Sequence, residues 1–187
     1  MTVGNLFSLS GLSLILGGLM AFTGWILFAI FDPGHQHYQN PRWFPLNLLI
    51  IIGGLLMALG LPGFYAGQAI ETGVLGLIGF LLLWFGLVLS HIAVHSIETV
   101  TIPNVPATMM RFVSVAAPSL ILGILITGIL TCSAGVYPAS LGISLILAAL
   151  VGLLTVIKAI PQVIRRNLAS TLFPASMVMA GILIILR

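Results

Sequence analysis

The sequence predicts an all-α fold: an integral membrane bundle of six transmembrane helices with short loops and no soluble domain. The 187 residues are 60% hydrophobic and 5% charged, whereas soluble domains have about 25% charged residues. The mean hydropathy is +1.27. Apolar segments long enough to cross a bilayer recur along the whole chain, and the loops between them are short. We therefore expect residues 1–187 to form a single transmembrane domain.

Six apolar segments account for most of the chain. Each has roughly 19 to 26 residues, enough for a helix rising 1.5 Å per residue to cross a hydrocarbon core about 30 Å thick. The first segment has no Lys or Arg before it and is longer than the apolar core of a signal peptide, so we expect it to be a retained span. The predicted spans are residues 6–31, 44–65, 74–97, 112–130, 139–160 and 168–186.

Helix-breaking or polar residues separate these spans in order. Proline lacks the amide hydrogen that a helix interior needs, and glycine favours turns. Gln68 and Glu71 indicate a solvated turn between the second and third spans. The other breaks are Asp32-Pro33-Gly34 after the first span, Pro41 and Pro45 before the second, Pro103 and Pro106 before the fourth, and Pro138 and Pro161 around the fifth.

Basic residues predict the orientation in the membrane. Lys and Arg in short loops stay on the cytoplasmic side. We therefore expect both termini outside and connections one, three and five in the cytoplasm, as in a bacterial inner-membrane protein. The odd-numbered connections and their flanks hold Arg42, Arg111, Lys158, Arg165 and Arg166, whereas only Arg187 lies at the opposite end.

Glycines recur seven residues apart in each of the first three spans. Small residues on one helix face let two backbones approach closely, which is how helices associate in lipid. The spacing predicts that the first three helices pack as a close bundle. The pairs are Gly17 and Gly24, Gly53 and Gly60, and Gly79 and Gly86.

The most specific group of candidate functional residues lies at the end of the third span. His91, His95 and Glu98 are spaced i, i+4 and i+7, which places them on one helical face. Two histidines and a carboxylate suit zinc or non-haem iron with an open coordination position. His35 and His37, in the first connection, are expected on the same side of the membrane and extend this to a four-histidine metal site.

The same histidines also permit a different cofactor, or none. One axial histidine from a membrane helix can hold haem or a chlorophyll-type pigment. Trp84 precedes His91 in the third span and lies on roughly the same helix face, so it is a candidate to line a cofactor or lipid cavity. A haem with two histidine ligands needs them on opposite faces, so His91 and His95 cannot both bind one iron. Histidines at the level of the lipid headgroups are also common at helix ends that bind no metal or cofactor.

Composition excludes some function classes and leaves three. No basic patch suited to nucleic acid is present, and the single cysteine, Cys132, excludes an intrachain disulfide. The leading hypothesis is a subunit or homo-oligomer that holds a histidine-ligated cofactor or metal in a larger membrane assembly. The alternatives are a cofactor-free protein that binds or transports a lipid or small hydrophobic molecule, and a metal-dependent membrane hydrolase using His91, His95 and Glu98.

Several short segments resemble small polytopic bacterial membrane proteins of unknown function. They are residues 40–47 (NPRWFPLN), 60–66 (GLPGFYA), 73–80 (GVLGLIGF) and 134–138 (AGVYP). The resemblance covers most of the chain. It implies a bundle of six spans and no particular activity. Those relatives tend to have a histidine where this chain has Asn47.

Overall fold

The structure is a computed structural model that describes residues 3–31, 43–96, 105–158 and 162–187. These ranges are helical apart from short turns, and they contain no strand. The third helix, Ala69–Leu87, continues directly into a π-helical segment, Val88–Val94. The six helices are α1 (Val3–Phe31), α2 (Trp43–Ala66), α3 (Ala69–Leu87), α4 (Val105–Ala134), α5 (Ala139–Val156) and α6 (Gln162–Ile185). The predicted all-α bundle is confirmed.

Five helical stretches of the described chain are long and apolar enough to cross a membrane: α1, α2, α3 with its π-helical segment, α4 from Arg111, and α5. The apolar part of α6, Ser170–Ile185, is shorter. It nevertheless packs lengthwise on α1, since Gly11 lies against Gly181 and Gly18 lies against the Pro174 carbonyl. The predicted sixth span is therefore a helix that packs along α1, and its apolar part is shorter than the five candidate spans.

The glycine pairs of α1 and α2 face each other, as predicted. A Cβ added at Gly17 would lie 2.6 Å from both the Gly53 carbonyl oxygen and the Met57 amide nitrogen. A Cβ at Gly60 would lie 2.6 Å from the Ser10 carbonyl oxygen. Nothing larger than glycine fits at these contacts, so the two antiparallel backbones touch directly along most of their length.

The third glycine pair contacts a helix that the spacing did not indicate. Gly79 lies against Ile126 and Gly86 against the backbone of Leu120, both in α4. Gly123 of α4 completes the contact against α3. The third helix does pack against α2, but its glycine pair contacts α4, because glycine spacing identifies a contact face and not its partner.

The helices close into a ring. Each helix packs against its neighbours in the chain, and α6 returns to pack against α1. Large side chains that are fully inaccessible fill the interior between the helices. They include Leu14, Met57, Leu61, Leu83, Leu145 and Met177. Because chain neighbours run antiparallel, α1, the π-helical segment and α5 all finish at one end, which we call the odd-connection end.

A proline inside α2 is compensated by a side chain from α3. Pro62 has no amide hydrogen, so the Ala58 carbonyl four residues earlier loses its normal helical donor. The Trp84 indole N–H donates to that carbonyl at 3.1 Å. Trp84 therefore joins α2 to α3 through a hydrogen bond within the apolar layer.

The turn between α2 and α3 is only partly solvated, which corrects the prediction for one of its two polar residues. Glu71 is exposed as expected, but the Gln68 side chain is buried. Its Oε1 accepts a hydrogen bond from the Thr131 hydroxyl at 3.1 Å. Gln68 therefore ties this turn to α4, since a buried amide needs a hydrogen-bonding partner.

Candidate binding cavity

A partly enclosed cavity of about 330 Å³ lies toward the odd-connection end of the ring. Its wall combines the last turns of α1, the π-helical segment and α5 with residues 113–124 of α4 and 170–174 of α6. Most of the wall is apolar, including Leu120, Ile121, Ile124, Ala148, Gly152 and Phe173. Among the described residues, the lining side chains with polar atoms are Trp25, Ser90, His91, His95, Thr155 and Ser170, and none of these carries a permanent charge.

Local sequence features account for the space. Gly152 has no side chain, and a Cβ there would approach only the Ile121 side chain among the described residues. Pro174 lies inside α6 and cannot donate a hydrogen bond to the Ser170 carbonyl, and both residues line the wall. The π-helical segment supplies the opposite side, and such segments are frequent at functional sites.

His91 is held firmly in the cavity wall. It is buried, and Gly54 of α2 leaves just enough room for its Cβ. Its Nδ1 lies 2.9 Å from the Ser90 hydroxyl, which in turn lies 3.3 Å from the Leu87 carbonyl oxygen. Its Nε2 is buried and has no hydrogen-bond partner in the described part of the chain. One imidazole nitrogen is thus fixed and the other is left unsatisfied.

Trp25 of α1 adds a second unsatisfied nitrogen. The centroid of its indole ring lies 6.5 Å from that of His91 and 5.3 Å from that of His95, and both ring pairs are edge-to-face. The Trp25 Nε1 is buried without a hydrogen-bond partner among the described residues. Buried indole N–H groups usually find an acceptor, so this donor calls for an explanation.

His95 is also buried, but its surroundings differ. The Asn47 amide of α2 donates to the His95 backbone carbonyl, which fixes the end of the π-helical segment against α2. The His95 ring centroid lies 6.4 Å from that of His91 and 6.5 Å from that of Trp43. His95 therefore completes an aromatic wall behind Trp25 and His91.

The structure places only part of the predicted site. His91 and His95 share one cavity wall, as their spacing predicts, whereas His35, His37 and Glu98 lie outside the described residues. Within the described ranges no three His, Cys, Asp or Glu side chains are grouped to hold a metal ion. The metal site and the hydrolase that would use it therefore stay predictions.

The packing changes which tryptophan lines the cavity. Trp84, a candidate cofactor wall, is not among the residues that line this cavity, and its indole N–H is bonded to α2. Trp25 lines the cavity although the sequence did not single it out. No local pattern could have found Trp25, because the histidines beside it belong to another helix.

No family model, curated protein or solved structure matches this chain.

Proposed function

We propose that this protein binds a small, uncharged hydrophobic molecule in the cavity at the odd-connection end. The observation that carries the proposal is the cavity itself, whose volume of about 330 Å³ lies within the range typical of ligand pockets. Its wall is apolar with a few polar atoms, which is the usual composition of such pockets. None of the described lining side chains is permanently charged, so they would offer a buried charged ligand no counter-ion, and burying an unpaired charge is costly.

The packing supports binding rather than conduction. Fully buried side chains such as Leu14, Leu61 and Leu145 fill the part of the ring beyond the cavity. A ligand entering from the odd-connection end therefore meets a packed core. The surrounding bilayer is the natural source of a hydrophobic ligand, since apolar molecules concentrate in it.

Photolabelling tests this proposal. We would label the protein in lipid nanodiscs with phenyldiazirine, a small apolar reagent, and map the modified residues by mass spectrometry. We expect labelling at Leu120 and Phe173 that falls clearly in Gly152→Leu, whose side chain takes up part of the cavity. Leu150→Phe, which adds volume on the exposed face of the same helix, is the matched control. Labelling confined to exposed faces, and equal in both variants, would refute the proposal.

A histidine-ligated cofactor is the second candidate. The unsatisfied Nε2 of His91 favours it, because a buried imidazole nitrogen in an apolar wall is suited to axial ligation of haem or a pigment. His95 lies on the same helical stretch, so a second ligand would have to come from elsewhere, such as another subunit of a larger assembly. A visible absorbance band lost in His91→Ala would support this candidate, and a colourless folded protein without bound metal would reject it.

The orientation is part of the same proposal. We infer that the cavity opens toward the cytoplasm of a bacterial inner membrane, because the basic residues favour that side for the odd-numbered connections. Alkaline phosphatase fused after Arg187 should then be active, since it would lie outside. An inactive fusion at normal expression would reverse the orientation without affecting the binding proposal.

A further inference from the structure

We infer that the ligand enters the cavity sideways from the bilayer, through a gap between α4 and α5 that the Ile121 side chain closes. This inference rests on the proposed binding function and adds the route to that site, with Ile121 as its gate. The supporting observation is the contact between Ile121 and Gly152, because both residues line the cavity and no other described residue approaches the Gly152 position.

The helices α4 and α5 touch at one end and separate toward the other. At the end away from the cavity, a Cβ added at Gly142 of α5 would lie 2.7 Å from the Gly128 carbonyl oxygen of α4. Gly152 lies about 15 Å further along α5. The described atoms within 4 Å of a Cβ added there belong to the Ile121 side chain, at 3.1 and 3.5 Å. A side chain rather than a backbone therefore fills the space between the two helices.

This gap joins the cavity to the lipid-facing surface. Leu122 and Leu153, which follow Ile121 and Gly152 in the sequence, are 49% and 45% exposed, as side chains that contact lipid would be. Val156, one turn beyond Gly152, lines the cavity and is also 53% exposed. Within the described part of the chain, the Ile121 side chain is therefore what separates the cavity from lipid at Gly152.

Two other sides of the cavity are closed by backbone contacts. Gly18 of α1 lies against the Pro174 carbonyl of α6, and Gly86 of α3 lies against the Leu120 backbone of α4. Contacts of this kind open only if whole helices move, whereas a side chain can change rotamer at modest cost. Isoleucine is branched at Cβ and has one strongly preferred χ1 rotamer in a helix. Ile121 therefore keeps the gap closed most of the time and opens it briefly.

Exchange kinetics test this gate. We would measure the exchange of fluorobenzene between bilayer and cavity in lipid nanodiscs by ¹⁹F saturation transfer. A gate contributes equally to the barriers for entry and exit. Ile121→Ala should therefore raise both rates about fivefold to tenfold, the effect of removing a rotamer change from the barrier, and should change the dissociation constant much less. Leu122→Ala, which shortens an exposed side chain on the same helix, is the matched control and should leave both rates unchanged.

A reversible cross-link gives a second readout within one protein. Cys132→Ala removes the only native cysteine. In that background, Ile121→Cys and Gly152→Cys place two thiols across the gap, where the 3.1 Å between Ile121 Cγ1 and a Cβ at Gly152 is compatible with a disulfide. We expect oxidation to slow fluorobenzene exchange about tenfold, and we expect a reductant to restore the original rate.

The outcomes separate the gate from the binding function. Exchange rates that stay the same in Ile121→Ala and after oxidation of the cysteine pair would overturn the gate and leave the binding function intact. A change confined to the dissociation constant of Ile121→Ala would also overturn it, because Ile121 would then act only as part of the cavity wall. If the wild type showed no bound ¹⁹F resonance, the binding function would be lost and this inference with it.

Discussion

The hydrogen bond from Trp84 to the carbonyl exposed by Pro62 makes a quantitative prediction. Trp84→Phe removes the indole N–H, and the Ala58 carbonyl is then left without its 3.1 Å partner. Ala58 is only 5% exposed, so water cannot replace that donor. Hydrogen bonds between membrane helices average about 0.6 kcal/mol and reach about 1.7 kcal/mol. Because a backbone carbonyl would be orphaned here, we expect a loss of about 1 kcal/mol.

The second substitution isolates this hydrogen bond from packing. Pro62→Ala restores an amide hydrogen that can donate to Ala58 within α2, so Trp84 becomes dispensable for that carbonyl. In the Pro62→Ala background, Trp84→Phe should therefore cost much less than in the wild type. Reversible unfolding in mixed micelles of dodecyl sulfate and a mild detergent would give all four free energies of unfolding. If the cost of Trp84→Phe agreed within about 0.3 kcal/mol in both backgrounds, the two residues would be independent and the reasoning wrong.

Three further predictions concern other contacts in the ring. Gly86→Ala should destabilise the protein by about 1 to 3 kcal/mol, because a Cβ at this position meets the Leu120 backbone. Gly4→Ala should not destabilise it, because the space around Gly4 is open. The same unfolding assay compares the two variants. Thr127→Val should leave stability unchanged or raise it by up to about 1 kcal/mol, since the Thr127 hydroxyl is buried without a hydrogen-bond partner among the described residues. A loss of stability would instead indicate that an ordered water is bonded to this hydroxyl. Burial raises the pKa of Tyr137 above its usual value of 10.0, against an opposing effect of Arg187. The folded state therefore holds the Tyr137 proton more tightly than the unfolded state does. This contribution to the free energy of unfolding is present below pH 10 and declines as the pH rises further. Tyr137→Phe should abolish that decline in unfolding measurements and should remove an absorbance component that titrates above pH 10.

The class of protein could be read from the sequence alone. Apolar stretches of this length need a bilayer, and in a bilayer the backbone must satisfy its own hydrogen bonds, so helices follow directly. The boundaries were close, but α4 and α6 begin earlier than the apolar pattern indicated, at Val105 and Gln162. A helix can extend beyond the hydrocarbon layer, so hydropathy marks the buried length rather than the helix ends.

Contacts between helices required the tertiary structure. Glycine spacing correctly identified faces of close approach, yet only the structure shows that Gly79 and Gly86 meet α4. In the same way the polar spacing placed His91 and His95 on one wall, but Trp25 joined them from α1. In a membrane helix nearly every face is apolar, so the sequence carries little information about which face meets which neighbour.

The sequence by itself determined that this is a six-helix membrane protein whose few ionisable residues lie mostly near the helix ends. The tertiary structure decided that His91 and His95 line a cavity whose described side chains carry no permanent charge, and that Trp84 donates a hydrogen bond to the carbonyl left free by Pro62. The physical reason is that composition and periodicity predict only the structure of the segment in which they occur. Cavities and hydrogen bonds between helices depend on side chains far apart in sequence, whose meeting is set by how all six helices pack together.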